Sequence, residues 1–204
     1  MLMCGRFENK SSLEYIAELL IQQGLEILLD EGKKKGPDYN IALTNKIIGI
    51  NKSDKKYSIR YFNWGIKFSE SSPLIFNSRI ETIKDKKFWW GLFNKNRAIV
   101  PMTGFYEWKK ESGRKIPYKI FLPNKETFFV PAIFFNKKEA DAPFASLITT
   151  TPNKFIKKVH HRMPVIFDEL NDAVKFLNED SRNIVEMCEP FDDKKVMELE
   201  RASI

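Results

Sequence analysis

Short runs of β-branched and aromatic residues fill the chain from Tyr39 onward, and they restrict its fold more than any other feature of the sequence. Asn, Asp, Gly, Ser and Pro interrupt these runs at short intervals, which is typical of strands joined by turns. The runs are YNIAL, KIIGI, YSIRYFNWGI, LIF, RAIV, GFYEW, PYKIFL, TFFVPAIFF and ASLITT. They predict a mostly antiparallel sheet that is large enough to curl into a barrel.

Helices are expected around this β-rich region. Apolar residues at helical spacing predict a helix over residues 11–29, with Ser11 or Ser12 as its cap, and Gly24 can divide it in two. A helical insertion is expected over about residues 81–94. NKFIKKV and DELNDAVKFL read as short helices with RMPVIF extended between them, and GKKKGP, residues 32–37, reads as a loop.

The chain length of 204 residues suits one domain, so we expect a single α+β domain over residues 1–204, with a barrel-like core and a few flanking helices. No apolar run approaches the roughly 18 residues that cross a bilayer, and the N-terminus lacks the layout of a secretory signal. A cytoplasmic monomer is therefore expected. The net charge of +7 favours a nucleic-acid partner, although a general richness in Lys, Asn and Ile explains it equally well.

Only two cysteines are present, Cys4 and Cys188, and they form no metal-like spacing with the two histidines, His160 and His161. We therefore expect reduced thiols, no metal, and a core position for Cys188. Cys4 follows Met3, which can itself serve as a start codon. If the initiator were removed there, Cys4 would carry two nucleophiles, a thiol and a free α-amine.

Three further stretches have residues suited to chemistry. In NSRIET, an extended segment places Asn77 and Arg79 on one face, where the arginine can hold a phosphate. In VPMTGFYEWKK, strand alternation places Glu107 on an apolar face, where a carboxylate needs a cationic partner or becomes a candidate general acid or base. In VHHRMPVIF, the adjacent histidines lie beside Arg162 in a connection between elements, where catalytic groups often lie, although surface histidines explain them as well.

Taken together and in order, these stretches resemble the SRAP family, the SOS response-associated peptidase proteins. MCGRF resembles the N-terminal signature of the family, YNIAL resembles Y-N-x-A-P, and WGI resembles W-G-L. NSRIET resembles N-A-R-x-E-T, GFYEW is identical to G-F-Y-E-W, and HHRMP resembles H-x-R-M-P. The resemblance runs over most of the chain.

The resemblance implies a sensor that captures abasic sites in single-stranded DNA during the DNA damage response, without a cofactor and with AP-lyase activity as an option. The cysteine that follows the initiator methionine is the family's nucleophile, and its amine and thiol close a thiazolidine on the open-chain sugar. The implied catalytic positions are Cys4, Asn77, Glu107 and His160, and the implied DNA-binding positions are Arg6, Arg79 and Arg162. On DNA the protein would be associated with the nucleoid.

The chain departs from the family pattern in several places. Met1 and Leu2 precede the expected start, so a terminal cysteine requires translation from Met3 or removal of the extra residues. Leu43 replaces the proline after Y-N-x-A, and KFSE at residues 67–70 replaces P-x-W. FDDKKVMELERASI replaces the usual C-terminal tail, which places the last strand in question.

Two other functions remain open at this point. A thiol peptidase would use Cys4 as nucleophile and His160 as base, and needs no free amine. A non-catalytic DNA-binding module would hold DNA without a covalent bond, so the substitution Cys4→Ala would not change DNA retention under denaturing conditions.

Overall fold

The computed structural model describes residues 5–29 and 37–204. The strands are β1 (Arg6–Asn9), β2 (Ile27–Leu29), β3 (Asp38–Ala42), β4 (Lys46–Ser53), β5 (Lys56–Trp64), β6 (Asn77–Arg79), β7 (Arg97–Met102), β8 (Gly104–Glu111), β9 (Arg114–Phe121), β10 (Phe128–Phe135), β11 (Phe144–Thr150), β12 (Met163–Pro164) and β13 (Glu198–Arg201). The helices are α1 (Leu13–Gln22), α2 (Ile80–Ile83), α3 (Lys87–Lys95), α4 (Leu170–Asn178) and α5 (Ser181–Ile184), with a 3-10 turn at Ile156–Lys158.

Five strands close into a barrel, as the β-rich runs predict. Antiparallel pairs join β11 to β10, β10 to β7, β7 to β4 and β4 to β5. A parallel pairing of β5 with β11, with Trp64 opposite Ala145, completes the circuit. Strands β2 and β6 add short parallel pairings to β5 and β11, so the sheet is mixed but mostly antiparallel. The expected α+β class with a curled sheet is confirmed.

A second, wholly antiparallel sheet has the strand order β13-β9-β8-β1-β3. One core cluster joins its inner face to the barrel, with Phe7, Phe105 and Ile120 from the second sheet and Phe62 and Val100 from the barrel. A second cluster lies between the barrel and helices α1, α3 and α4. The C-terminal strand β13 pairs with β9, so the shortened tail still supplies a last strand.

The predicted helix over residues 11–29 is correct only as far as Gln22. Ser12 caps α1, since its hydroxyl accepts a hydrogen bond from the Tyr15 backbone N–H at 3.1 Å. The chain then turns at Gly24, which has φ +73°, a value that L-residues rarely adopt. Beyond this turn, residues 27–29 form β2 beside β5 instead of a second helix.

Other predicted elements shift or divide. The insertion over residues 81–94 consists of α2 and α3, separated where Lys86 takes an extended conformation. In NKFIKKV only a 3-10 turn forms, and its first N–H donates to the Asn153 side chain at 2.9 Å. Strand β1 and helix α5 were not predicted. Most of the predicted GKKKGP loop lies outside the described residues.

The helices found between residues 5 and 29 and from residue 37 onward are all too short or too polar to cross a bilayer.

Candidate active site

Cys4, the expected nucleophile, lies outside the described residues, and strand β1 follows it closely in the chain. Strand β1 begins at Arg6 and runs between β3 and β8 in the second sheet. Its register is antiparallel to β8, with Phe7 opposite Phe105. Arg6 and Phe7, the last two residues of MCGRF, therefore lie in a central strand.

Glu107 is carried by β8, and only 1% of its surface is exposed. Phe105, two residues earlier, packs in the core between the sheets, whereas the hydroxyl of Tyr106 contacts Glu8. Neighbouring side chains of β8 thus point to opposite faces, which matches the alternation expected of GFYEW. A carboxylate this deeply buried on the barrel side of a strand is a candidate for proton transfer.

Arg6 links β1 to β3. Its guanidinium donates a hydrogen bond to the side-chain oxygen of Asn40, and its backbone lies opposite Ala42. The contact joins the MCGRF and YNIAL motifs, which are separated by more than thirty residues in the sequence. Arg6 is half-buried, so part of it faces solvent.

Trp64 connects β1 to β6 through the core. Its ring meets Phe7 edge-on at a centroid distance of 5.1 Å and Phe76 at 6.4 Å, and its indole N–H donates to the Phe76 carbonyl at 3.1 Å. Gly65 follows with φ +116°, and a Cβ there would lie 2.6 Å from Leu74. The WGI motif therefore positions the residue that directly precedes Asn77.

Asn77 and Arg79 line one cleft of about 330 Å³, together with Thr82, Lys86 and Trp89. Asn77 is half-buried and Arg79 is exposed. Between them, the hydroxyl of Ser78 is buried and lies 2.8 Å from that of Ser146 on β11. The predicted placement of Asn77 and Arg79 on one face matches this arrangement, and the cleft carries positive charge from Arg79 and Lys86.

His160 is 4% exposed and held in one orientation. Its ring Nδ1 accepts a hydrogen bond from the backbone N–H of Arg162 at 3.1 Å, so in the neutral ring the proton is carried by Nε2. Burial, and then the stacked ring of His161 at 4.3 Å, lower the pKa of His160 below its ordinary 6.5. Among the described residues, Nε2 has no hydrogen-bond partner. The neutral ring therefore presents a free N–H donor.

The side chain of Arg162 is 11% exposed and pairs with Glu81 of α2. Two parallel hydrogen bonds, of 2.7 and 2.9 Å, join the guanidinium to the carboxylate, and a third reaches the hydroxyl of Thr149 at 3.2 Å. Burial by itself raises the pKa of Glu81, but the hydrogen bonds and the charge of Arg162 lower it overall. In the register of β11 and β6, Thr149 lies opposite Arg79. Thr149 is therefore next to a residue of NSRIET and is hydrogen-bonded to Arg162 of HHRMP.

A second buried carboxylate, Glu8, stabilises the outer face of the same sheet. It accepts hydrogen bonds from the hydroxyls of Thr103 at 3.1 Å and Tyr106 at 3.2 Å, and it lies 3.5 Å from the ammonium of Lys119. Burial and the charge of Glu8 raise the pKa of Tyr106 to about 12. A cavity of about 900 Å³ adjoins Glu8, and no predicted site residue of the described chain lines it.

The site has contributors that were not predicted from the sequence. Glu81 was predicted only as the first residue of the helical insertion, although its place in NSRIET was a usable signal. Thr149 had no local signal, because its importance comes from partners far along the chain, and Trp64 was noted only as part of the WGI motif. Cys188 is buried in the core as expected, and burial raises the pKa of its thiol to about 12. Within residues 5–29 and 37–204, no group of three His, Cys, Asp or Glu side chains lies close enough together to hold a metal ion.

Known proteins are similar to this chain in sequence and in fold. Over 201 residues the chain is 29% identical to abasic site processing protein YoqW of Bacillus subtilis, covering 93% of this chain and 88% of the relative. It is 30% identical over 173 residues to abasic site processing protein YoaM of the same species, covering 80% and 74%. A crystal structure of a protein from Bacteroides thetaiotaomicron aligns with a TM-score of 0.76 at 25% identity, covering 98% of this chain and 92% of that one.

The family model of the SOS response associated peptidases matches residues 3–203. The match includes every motif on which the resemblance was based, from MCGRF to HHRMP, as well as strand β13. The chain therefore belongs to the SRAP family.

Proposed function

We propose that this protein captures abasic sites in single-stranded DNA through a covalent bond to Cys4, once Cys4 is the first residue of the mature chain. The relatives YoqW and YoaM are named abasic site processing proteins, and the basic net charge of +7 suits a DNA partner. Capture would protect the site, and lyase activity at the same sugar would be a side reaction of the imine.

The chemistry follows from the two nucleophiles of a terminal cysteine. The neutral α-amine, whose pKa is about 7.7–8.0, attacks the open-chain aldehyde of the abasic sugar. Loss of one water gives an imine, and the thiol then adds to the imine carbon while its proton moves to the nitrogen. The product is a five-membered thiazolidine, and the whole reaction releases one water. An internal cysteine has no α-amine and cannot complete it.

The register of β1 against β8 is the observation that carries this proposal. The recorded pairs are Phe7 with Phe105 and Glu8 with Gly104, and the same antiparallel register, if continued beyond Phe7 by two residues, would place Gly5 opposite Glu107. Cys4 is bonded directly to Gly5. A buried carboxylate therefore belongs beside the strand end that leads to the nucleophile, where it can carry protons during dehydration and ring closure.

His160 suits the opening of the sugar ring. Its neutral ring offers the Nε2 hydrogen, and its lowered pKa keeps the ring neutral at physiological pH. A donor of this kind can hydrogen-bond to the ring oxygen of the sugar as the ring opens. Asn77, in its cleft beside β11, can orient the sugar or the terminal residue.

The three arginines differ in their availability for phosphates. Arg79 is exposed in the cleft and Arg6 is partly exposed beside Asn40. Arg162 is bound by Glu81, so a phosphate reaches it only by sharing or displacing that carboxylate. We expect Arg79 to provide most of the phosphate contact, and Arg162 to hold the turn that contains His160.

The peptidase alternative receives less support from this geometry. A thiol peptidase needs a histidine nitrogen that accepts the thiol proton. Nδ1 of His160 is occupied by the Arg162 N–H, and Nε2 carries the proton in the neutral ring. Neither nitrogen of the neutral His160 ring is therefore free to accept the thiol proton.

The direct test is the intact mass of the protein after incubation with single-stranded DNA that contains one abasic site. Expression would begin at Met3, and the mass of the unreacted protein reports whether Cys4 is terminal. We expect a new species at the mass of protein plus DNA minus one water, and no such species with Cys4→Ala or with a blocked α-amine.

Two outcomes would contradict the proposal. A terminal Cys4 without an adduct would exclude covalent capture and favour plain DNA binding. An adduct that survives blocking of the α-amine would exclude the thiazolidine.

Glu107→Gln, which keeps the shape of the side chain, is expected to slow adduct formation without changing the adduct mass.

A further inference from the structure

Strand β3 contains a bulge where it pairs with β1. Phe7 of β1 lies opposite Ile41 of β3. Two residues later in β1, Asn9 lies opposite Asp38 instead of residue 39. Residues 39–40 of β3 therefore stand opposite a single residue of β1, which defines a β-bulge. Bulges of this kind change the direction of side chains and are frequent next to active sites.

Side chains from two neighbouring strands bind this bulge. The hydroxyl of Tyr106, on β8, donates a hydrogen bond to the backbone carbonyl of Tyr39 at 2.9 Å. The guanidinium of Arg6, on β1, donates to the side-chain oxygen of Asn40. Because β1 lies between β8 and β3, the side chain of Tyr106 crosses β1 to reach its acceptor. The hydroxyl of Tyr106 thus connects the two outer strands of this group of three.

The hydroxyl of Tyr106 is a permanent donor in this position. The residue is 4% exposed, and its hydroxyl also lies 3.2 Å from a carboxylate oxygen of Glu8. Burial and the charge of Glu8 raise the pKa of Tyr106 to about 12, so the hydroxyl keeps its proton at physiological pH. A phenylalanine ring would fill the same space, so packing explains the ring but not the hydroxyl.

The contact joins the two strands on which the proposed reaction depends. Glu107 directly follows Tyr106 in β8. Among the described residues, β1 pairs with β8 as far as Phe7 and with β3 one residue further, at Arg6. The end of β1 that leads to Cys4 is therefore paired with β3. Its position relative to Glu107 depends on how β3 is held against β8.

We propose that Tyr106 is a positioning residue for the reaction of Cys4. Its hydroxyl ties β8 to the bulge of β3 across β1, and thereby fixes the strand end that leads to Cys4 relative to Glu107. The inference rests on the proposed function and adds a residue that acts through the strands. It also gives the YNIAL motif a role, since Tyr39 and Asn40 of this motif form the bulge.

The test is single-turnover adduct formation by the parent and by Tyr106→Phe, with single-stranded abasic DNA in excess. Varying the DNA concentration separates the limiting rate from the concentration that gives half of that rate. Tyr106→Phe should lower the limiting rate roughly tenfold, because misplacing reacting groups by a fraction of an ångström is costly. The half-saturating concentration should not change, because the DNA contacts remain.

Thr103→Val is the matched control. Among the described residues, the hydroxyl of Thr103 donates to Glu8, with its carboxylate at 3.1 Å, and not to β3. Each substitution removes one hydroxyl next to the same carboxylate and largely keeps the shape of the side chain. Thr103→Val should keep the limiting rate of the parent. Urea unfolding should show that both variants are folded and lose a similar amount of stability.

Hydrogen exchange of residues 38–42 measures the contact without DNA. Exchange in this segment, followed by mass spectrometry, should be faster in Tyr106→Phe than in the parent, because the bulge has lost its bond to β8. Thr103→Val should exchange like the parent. The measurement does not depend on the chemistry of Cys4.

Several results would overturn the inference. They are a parental limiting rate in Tyr106→Phe, equal slowing in Thr103→Val, and a change in the half-saturating concentration alone. Unchanged exchange of residues 38–42 in Tyr106→Phe would overturn it as well, whatever the adduct result. Absence of an adduct in the parent would contradict the proposed function instead, and the exchange measurement would then decide on the contact by itself.

Discussion

The turn of residues 160–162 and strand β6 flank the same residue, Thr149 of β11, yet they hold their arginines in opposite ways. Arg162 is nearly buried and bound by two hydrogen bonds to Glu81. Arg79 is exposed and lines an open cleft. The motifs alone suggest the same phosphate-binding role for both residues.

The difference shows that a shared residue type does not imply a shared task. A guanidinium already paired with a carboxylate in a mostly buried position contributes to the local structure, and its removal leaves a partner unsatisfied. An exposed guanidinium contributes little to folding and stays available to an anion. The comparison thus predicts a stability effect at one arginine and a binding effect at the other.

The largest expected effect on stability is that of Arg162→Ala. The substitution removes both hydrogen bonds to Glu81 and the bond to Thr149, and should lower the free energy of unfolding by about 2 kcal/mol. Urea unfolding followed by circular dichroism measures this, with Arg79→Ala as the matched control. Equal stability of the two variants would contradict the conclusion that Arg162, unlike Arg79, stabilises the fold.

The pH dependence of the Glu81 pair sharpens the comparison. Because the folded protein holds the pKa of Glu81 below its ordinary 4.5, the contribution of the pair is fully present above that value and is lost as the pH falls through the folded pKa. The parent should therefore exceed Glu81→Gln in stability at neutral pH, and the gap should close in acid. A gap that stays constant between neutral pH and about pH 3 would contradict this.

The titration of His160 tests the same turn. Burial, and then His161, lower its pKa, so the ring should titrate below 6.5 and His161→Ala should move the value upward. Since the folded state disfavours the proton, the associated stability is present above 6.5 and is lost as the pH falls through the folded pKa. The chain has only two histidines, so NMR of the imidazole rings reads both directly. A pKa of His160 raised above physiological pH would exclude the proposed neutral donor, and an unshifted pKa would contradict the stated effect of burial and His161.

The smallest effect on stability is expected at Arg79. Arg79→Ala should change the free energy of unfolding by no more than about 0.5 kcal/mol, because the side chain is exposed. Binding to single-stranded DNA should weaken. In a plot of log affinity against log salt concentration, the slope should become less steep by roughly 0.7, the value for one phosphate contact. An unchanged salt slope would mean that Arg79 does not contact phosphate.

Much of the fold was predictable, because strands have a local signature. The runs from YNIAL to ASLITT became strands with small changes at their ends, except LIF, where Ile75 forms only an isolated bridge to Ile66 and the strand begins at Asn77. Strand β2 was mistaken for helix, since a short apolar segment fits either period and only its pairing with β5 decides. Strand β1 was missed because its four residues have no clear alternation, and its neighbours β3 and β8 create it.

The sequence by itself determined the family, the α+β class and the residue types available for chemistry, because these depend on local pattern and on motifs in order. Tertiary structure decided which side chains are available. In the folded protein Glu107 is buried, and Nε2 of His160 has no hydrogen-bond partner among the described residues. Arg162 is hydrogen-bonded to Glu81, whereas Arg79 is exposed. Burial, pairing and protonation depend on neighbours that are distant in sequence, and no local pattern contains them.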